Sequence, residues 1–540
     1  AMQRGTFFCL IGVFAGIVSG LPTTSFPKDV RHLVFPVPKS ILASGPPIQL
    51  APDFRIETNH NSLRLTDAIS RYTHVLGALR SPLPASPSGQ QQLHSIQVLI
   101  VGDGDETVGL QTKYDYYFQL KEGSAVIKAT SIYGSIYAME TFLQLLDTEG
   151  HNNVVHSYIE VEDAPQYSWR GLMIDSGRRF FPVPLIKNLL DTMAVAKLNV
   201  LHLHASDMCR FGVESFSYPN LTAALTGIHA GFYTQEDVKE LIAYAGDRGI
   251  RVVPEFDIPG HSRGFLPIES EVEFCTTDAT RSQLFGDAEN KTYNALHKVL
   301  EEMAGLFTDE VFNIGCDETS AKGLCSVNST FALERKVLSA IQHEFGKTPE
   351  GWEEVYFDAG AATASTIVNA WARHTAADVV ATGHRAVESA ASHFYFTESA
   401  PGGPTGWSKC WYDIATNVTP TALELVLGGE MSMWSDTYCY ERQCGASSGA
   451  APVAAALFDP ARDLEFARSI GGMIWPRGYV AAASFWNYDA ALDPASPEYT
   501  AAVYKLNDLI ESRGGFVCPT NCTCDQLTAC GKPYLPTGTV

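Results

Sequence analysis

Two carboxylates stand side by side in "FNIGCDETS" (residues 312–320): Asp317 and Glu318 follow an apolar, strand-like run (Val311, Phe312, Ile314) and a break at Gly315 and Cys316. Paired acids can do proton-transfer and charge-stabilising work when one stays protonated and the other ionised. Adjacency helps, because an ionised Asp317 raises the cost of ionising Glu318. Related polar residues recur at the ends of other apolar runs: Asp175 and Arg178, His204 and Asp207, Asp257 and His261. Trp352, Trp371, Tyr395 and Trp434 mark the ends of further runs. Flat aromatic walls pack against the C–H faces of a sugar ring while Arg and Asp pick out its hydroxyls, so a glycan is the ligand class that suits the set. One such aromatic alone would read as core; a succession of them at strand ends reads as a pocket.

What must position these residues is a strand–loop–helix grammar that begins at Trp169. Strand-like segments fall at 171–175, 199–205, 250–256, 310–315, 350–355, 366–371, 384–390 and 425–434. Between them lie helical patterns, the clearest in "TQEDVKELIAYAGDRGI", where Thr234 is an N-cap, Asp237 completes a capping-box variant, and Val238, Leu241, Ile242 and Ala245 form the apolar stripe. Eight βα units predict an α/β fold with a (β/α)₈ TIM barrel, whose chemistry sits at the C-terminal ends of its strands. The polar and aromatic residues above fall at those ends. Upstream, alternating runs ("SIQVLIVGD", "YDYYFQL") precede one amphipathic helix in "GSIYAMETFLQLL", with Ile136, Met139, Phe142 and Leu145 at helical spacing, which predicts a small α+β domain. The expected organisation is a signal peptide (1–20), the α+β domain (21–165), the catalytic barrel (166–515) and a cysteine-rich tail (516–540).

The opening "AMQRGTFFCLIGVFAGIVSG" has a basic start, an apolar run too short for a bilayer and small residues at Ser19 and Gly20, as a secretory leader does. Sequons at Asn220, Asn290, Asn328, Asn417 and Asn521 agree with secretion or delivery to a lysosome-like compartment. Beyond Cys9 in the leader an odd number of cysteines remains. Cys518, Cys522, Cys524 and Cys530 read as a disulfide knot; the odd count leaves at least one free thiol, for which Cys316 and Cys209 are the candidates. Lys plus Arg at 38 against Asp plus Glu at 60, a formal charge of −22, argues against nucleic acid as a partner. No membrane span is expected after leader removal, and a homodimer is left open.

The ordered set "WRGLMIDSGRRFFP", "KLNVLHLHASD", "YTQEDVKELIAYAGDRGIRVVPEFDIPGH", "IGCDE", "GGEMSMW" and "WPRGYVAAASFW" resembles the β-N-acetylhexosaminidases of glycoside hydrolase family 20. The resemblance implies removal of terminal β-linked GlcNAc or GalNAc from glycans or glycoconjugates, with retention and without a metal or other cofactor. In the implied mechanism the substrate's own acetamido group is the nucleophile, the family being a known exception to the two-carboxylate scheme. Glu318 becomes the acid and base and Asp317 the partner of the acetamido N–H, with Asp207 and His261 as a supporting dyad. Arg178 binds the 3- and 4-hydroxyls; Trp352, Trp371 and Trp434 wall the ring; Tyr395 donates to the acetamido oxygen; Asp436 stands where a Glu usually reaches the 4- and 6-hydroxyls. The resemblance also favours a Cys275–Cys325 disulfide. Departures from the family pattern are Cys316 for a second Gly, Met208 for a frequent Asp, Thr397 near a usual Asp or Asn, and Asp436 itself. Two rivals remain: a barrel that binds glycans without turnover, and a metal hydrolase using "HLH" (202–204) with Asp207.

Overall fold

The computed structural model describes residues 29–79, 91–102, 104–146, 153–223, 225, 231–275, 280–319, 327–396, 404–435 and 460–517. The expected leader, Cys325, Thr397, Asp436, Asn521 and the terminal cysteine cluster lie outside them.

Residues 40–163 build a seven-stranded sheet from β1 (Ser40–Ser44), β2 (Ile48–Thr58), β3 (Gln92–Ile100), β4 (Tyr116–Lys121), β5 (Ser124–Ala129), β6 (Asn153–Val154) and β7 (Tyr158–Asp163). The strand order is β1-β7-β4-β5-β3-β2-β6, with β2, β3 and β5 parallel and the rest antiparallel. Among the described residues two helices, rather than the single one expected, accompany it. Leu63–Leu79 escaped the sequence pattern because it buries only Leu65, Ala68 and Leu76. Ile132–Gln144, capped by Ser131, was expected to be amphipathic, but every one of its residues is buried. Its second face is covered by the barrel: Tyr137 donates to Leu198 O and packs edge-on against Trp486. A helix closed in on both faces needs no polar stripe.

The second sheet closes on itself. β8 (Trp169–Asp175), β9 (Val200–Ser206), β10 (Arg251–Ile258), β11 (Val311–Gly315), β12 (Thr348–Trp352), β13 (Ile367–Ala370), β14 (Arg385–Glu388) and β15 (Val426–Met433) pair in parallel around an eight-stranded barrel. Each expected strand forms, with edges moved by one or two residues; the fifth ends three residues early, at Trp352, because Glu354–Phe357 turns into a short helix. The helix Gln235–Gly246 carries the expected capping box, with Thr234 and Asp237 bonded reciprocally.

The barrel interior is stratified. Trp169, Val200, Val311 and Ile367, first residues of their strands, form an apolar plug closed from outside by Leu110. Above it lies a polar layer, and above that an aromatic cluster of Trp352 and Trp434 with Met173, flanked by Trp371 and Tyr395. Strands buried on both faces can only carry such polar residues if partners meet them inside.

Candidate active site

The aromatic cluster lies at the C-terminal mouth, where sequence reasoning placed the pocket. Trp352 ends β12, Trp371 follows β13 and Trp434 follows β15. Tyr395 is not at the end of β14; it follows the short helix Ala391–Phe394 and reaches the group by bridging to Ser432 of β15. Trp371 and Tyr395 stack at 5.8 Å with an interplanar angle of 6°, while Trp434 lies 5.8 Å from Trp352 and 6.1 Å from Tyr395. Trp352 is 1% exposed and donates its indole N–H to Glu255 at 2.8 Å, so it forms the floor rather than a free wall. Burial holds the Tyr395 hydroxyl well above its ordinary titration range, which leaves it a hydrogen-bond donor.

Asp317 and Glu318 reach this chamber because the chain bends sharply after β11. Gly315, Cys316 and Glu318 have φ of 70°, 69° and 53°. At Gly315 a Cβ would stand 2.0 Å from Asp257 Oδ1, so only glycine fits. Cys316 occupies a left-handed position that favours glycine, which gives a physical reason for the Gly usual there, and such strained positions cluster at functional sites. The bend brings both acids to one imidazole: His261 Nε2 lies 3.2 Å from Glu318 Oε2 and 3.7 Å from Asp317 Oδ2. The side chain of Asp317 is 12% exposed and that of Glu318 43%. Burial raises Asp317 above the usual carboxylate range against the opposing pull of His261, with Glu255 and Glu318 adding repulsion. The sequence expectation put the rise on Glu318; at Asp317 the rise comes chiefly from burial, with Glu318 a smaller contributor than Glu255.

Asp207 faces the other side of His261, its Oδ1 3.5 Å from Nδ1, an ion-pair contact longer than a hydrogen bond. Arg178 bridges Asp207 at 3.0 Å and Asp175 at 3.1 Å, with its guanidinium 5.1 Å from the Trp434 ring. Asp175 in turn accepts from Arg178 N–H and Ser435 N–H.

The Asp175, His204, Asp207 group and the Asp207, Asp257, His261 group each bring donor atoms within 4.8 Å of one another. Arg178 already supplies positive charge between Asp175 and Asp207, and both nitrogens of His204 face carboxylates. The "HLH" motif thus builds an ion-pair cluster, whereas a metal site would need nitrogens free of such partners.

Sequence reasoning missed several acids. Glu353 is buried and accepts from the backbone N–H groups of Trp371, Ala372, Arg373 and His374, which pins the loop carrying Trp371. Glu354 accepts the Trp371 indole N–H at 3.1 Å, and burial together with Asp317 pushes it up to about 8. Glu255 and Glu430 lie inside the barrel. Each had a signal: a charged residue inside or directly after an apolar strand run ("VVPEF", "GGEMSM", "GWEEV").

Among the described cysteines, Cys316 is a free thiol as one expectation had it, Cys410 is a second that was not expected, and Cys209 is disulfide-bonded. Cys209 sits half-buried in the loop after β9, where a partner can approach, whereas Cys316 is sealed under the acids. Cys275 is also disulfide-bonded. Burial and the surrounding carboxylates hold the Cys316 thiol well above its ordinary value, so it should be inert. Peptide mapping after iodoacetamide treatment of native protein should find Cys316 unmodified and labelled only after unfolding; label in the native state would contradict the buried thiol.

Of the expected glycosylation sites, Asn220, Asn328 and Asn417 are exposed and Asn290 is half-buried at a helix start.

Residues 167–444 match the glycosyl hydrolase family 20 catalytic domain. The chain belongs to that family. Beta-hexosaminidase subunit A2 of Dictyostelium discoideum is 32% identical over 465 residues, covering 80% of this chain and 83% of the relative. Beta-hexosaminidase 1 of Arabidopsis thaliana is 26% identical over 94% of both chains. The family 20 exo beta-N-acetylglucosaminidase of Vibrio harveyi, solved in complex with N-acetylglucosamine, shares the fold at a TM-score of 0.71 and 22% identity, over 90% of this chain and 78% of that one. The resemblance read from the motifs therefore holds: this is a family 20 glycoside hydrolase, a β-N-acetylhexosaminidase. No helix among the described residues is long and apolar enough to cross a membrane.

Proposed function

We propose that this family 20 enzyme removes terminal, non-reducing β-linked GlcNAc or GalNAc by substrate-assisted catalysis with retention. The observation that carries the reading is that Asp317 and Glu318 lean on one imidazole nitrogen beneath an aromatic chamber, instead of facing each other across a space for a sugar ring. Two acids so placed do not supply the opposed acid and nucleophile of ordinary retaining glycosidases. Glu318, the more exposed, protonates the glycosidic oxygen as the C1–O bond breaks. The acetamido carbonyl oxygen of the same sugar attacks C1, giving an oxazolinium ion. Asp317, the more enclosed, accepts the acetamido N–H and balances the developing positive charge. Water then attacks C1 while Glu318 takes its proton, and the sugar leaves with its original configuration.

In this reading Arg178 holds the 3- and 4-hydroxyls, Trp434, Trp371 and Trp352 wall and floor the ring, and the Tyr395 hydroxyl donates to the acetamido oxygen. Asp207 and His261 orient Glu318, and Asp436 is assigned to the 4- and 6-hydroxyls. The leader (1–20), the α+β domain (21–165), the barrel (166–515) and the tail (516–540) belong to the same proposal, as do glycosylation at the sequons, a Cys275–Cys325 bridge and a secreted or lysosome-like location.

Chromogenic β-GlcNAc and β-GalNAc glycosides test the activity directly, and absence of turnover on both would leave only a binding role. A thiazoline analogue of GlcNAc, which mimics the cyclised intermediate, should bind at least about a hundredfold more tightly than GlcNAc. Trapping a glycosyl ester on any Asp or Glu would contradict the mechanism.

A further inference from the structure

β9 sends two histidines into the barrel, because alternate residues of a strand share a face. Both His202 and His204 are fully buried beneath the sugar chamber, and neither has a role in the reaction described so far. They lie in a line of alternating carboxylates and imidazoles along the barrel interior. Trp169 N–H donates to Glu430, whose other oxygen lies 2.8 Å from His202 Nδ1. His202 Nε2 is 2.9 Å from Glu255, in ion-pair contact without hydrogen-bond alignment. Glu255 meets His204 Nδ1, and His204 Nε2 lies 2.9 Å from Asp207 Oδ2. Asp207 then faces His261, and His261 faces Glu318.

Each nitrogen of His204 points at a carboxylate oxygen, and an imidazole offers N–H from both nitrogens only when protonated. The charges around it agree. Burial would lower His204, but Glu255 and Asp207 outweigh it and hold the imidazole well above its ordinary value. Burial likewise opposes His202, yet Glu430 and Glu255 push it up to about 10. Against burial, Arg178, His261 and His204 hold Asp207 well below the carboxylate range. The other groups facing His204 are Asp175 on β8 and Asp257 on β10. Burial and Asp317 raise Asp257, and burial pushes Glu350 on β12 up to about 8, so neither readily adds an anion.

We propose that His204 is a positioning residue for hydrolysis: its buried imidazolium, clamped between Glu255 and Asp207, keeps Asp207 ionised and aimed at His261, and through His261 fixes Glu318. The division of Asp207 supports this. Its Oδ2 is shared by Arg178 and His204, while its Oδ1 takes the Met208 N–H and faces His261. Arg178 must also serve Asp175 and, in the proposed function on which this inference rests, the sugar hydroxyls. His204 is the cation with no second duty at the mouth.

The sign of each effect follows from the charges. Without the His204 cation, Asp207 takes up its proton at a higher pH, so in His204→Gln the ¹³C shift of the labelled Asp207 carboxyl should titrate about one pH unit higher, the low end of what one opposite charge contributes. At the optimum kcat should fall about tenfold or more, with KM within about twofold. Glu255→Gln removes an anion from the other side, so the ¹⁵N shifts of the His204 ring should show it losing its proton at a lower pH. Folded variants in which Asp207 and His204 titrate as in the unaltered enzyme, losing only kcat uniformly, would overturn the proposal. If His204→Gln does not fold, the His204 titration in Glu255→Gln decides. In the unaltered enzyme, ¹⁵N shifts of labelled histidine should show His204 protonated at pH 7, and a neutral ring there would also overturn it. Glu318→Gln separates the two readings: an active Glu318→Gln enzyme removes the assigned acid, whereas the Asp207 and His204 titrations report on the buried line alone.

Discussion

Replacing Glu318 by Gln should lower kcat by about 10² to 10⁴, the range that general acid–base catalysis contributes, while KM changes little. The substitution keeps side-chain length and shape, and it faces the same left-handed backbone at φ 53°, so the fold has no new reason to fail. Arg178, Asp317 and the aromatic walls remain to grip the sugar. The loss should depend on the leaving group. A dinitrophenolate departs without protonation, so a dinitrophenyl glycoside should lose far less in its first step than a glycan whose leaving sugar oxygen needs the proton. Turnover of a tenth or more on an unactivated substrate would remove Glu318 from the role.

Asp163→Asn should destabilise the folded protein by about 3–5 kcal/mol, the cost of leaving one partner of a buried ion pair alone. Lys197 is fully buried, with Nζ 2.8 Å from Asp163 Oδ2, 2.9 Å from Tyr116 OH and 4.6 Å from the Trp486 ring. Asp163 ends β7 of the first sheet and Lys197 stands just before β9 of the barrel, while Trp486, from the helix Arg477–Asn487, packs into the first sheet's core, so this pair joins the two halves. Burial already lowers the Lys197 pKa. For a lysine lowered by folding, the cost of its charge is fully present below the folded pKa and disappears as pH rises toward the unfolded value. The destabilisation of Asp163→Asn should therefore shrink at alkaline pH, where Lys197 can release its proton. Thermal or urea unfolding at neutral and alkaline pH checks both points, and a loss under about 1 kcal/mol at neutral pH would show that the pair does not hold the domains together.

Much of the fold was legible because its signals are local. Eight apolar runs with helical stretches between them, Thr234 and Asp237 three apart, and polar residues at the ends of the runs all follow from short-range periodicity and capping. The helix Leu63–Leu79 was missed because so few of its residues are buried, and the polarity of Ile132–Gln144 was misjudged because its second face is covered only by the barrel, which is distant in sequence. Cys209 was misread for a related reason: whether a thiol meets a partner depends on where loops from other units run.

The sequence by itself determined the residue types of the site, their order along the chain and, through the ordered motifs, the family. Only the tertiary structure decided that Asp317 and Glu318 meet at one imidazole, that Trp352 is a floor held by Glu255, and that the two histidines of "HLH" face carboxylates from β10, β15 and the loop after β9. Apart from His204 with Asp207, three positions along the chain, those contacts join residues dozens to hundreds of positions apart, and their charges depend on burial. No local pattern encodes either one: closing the barrel brings distant strands into register and removes the water that would otherwise have screened them.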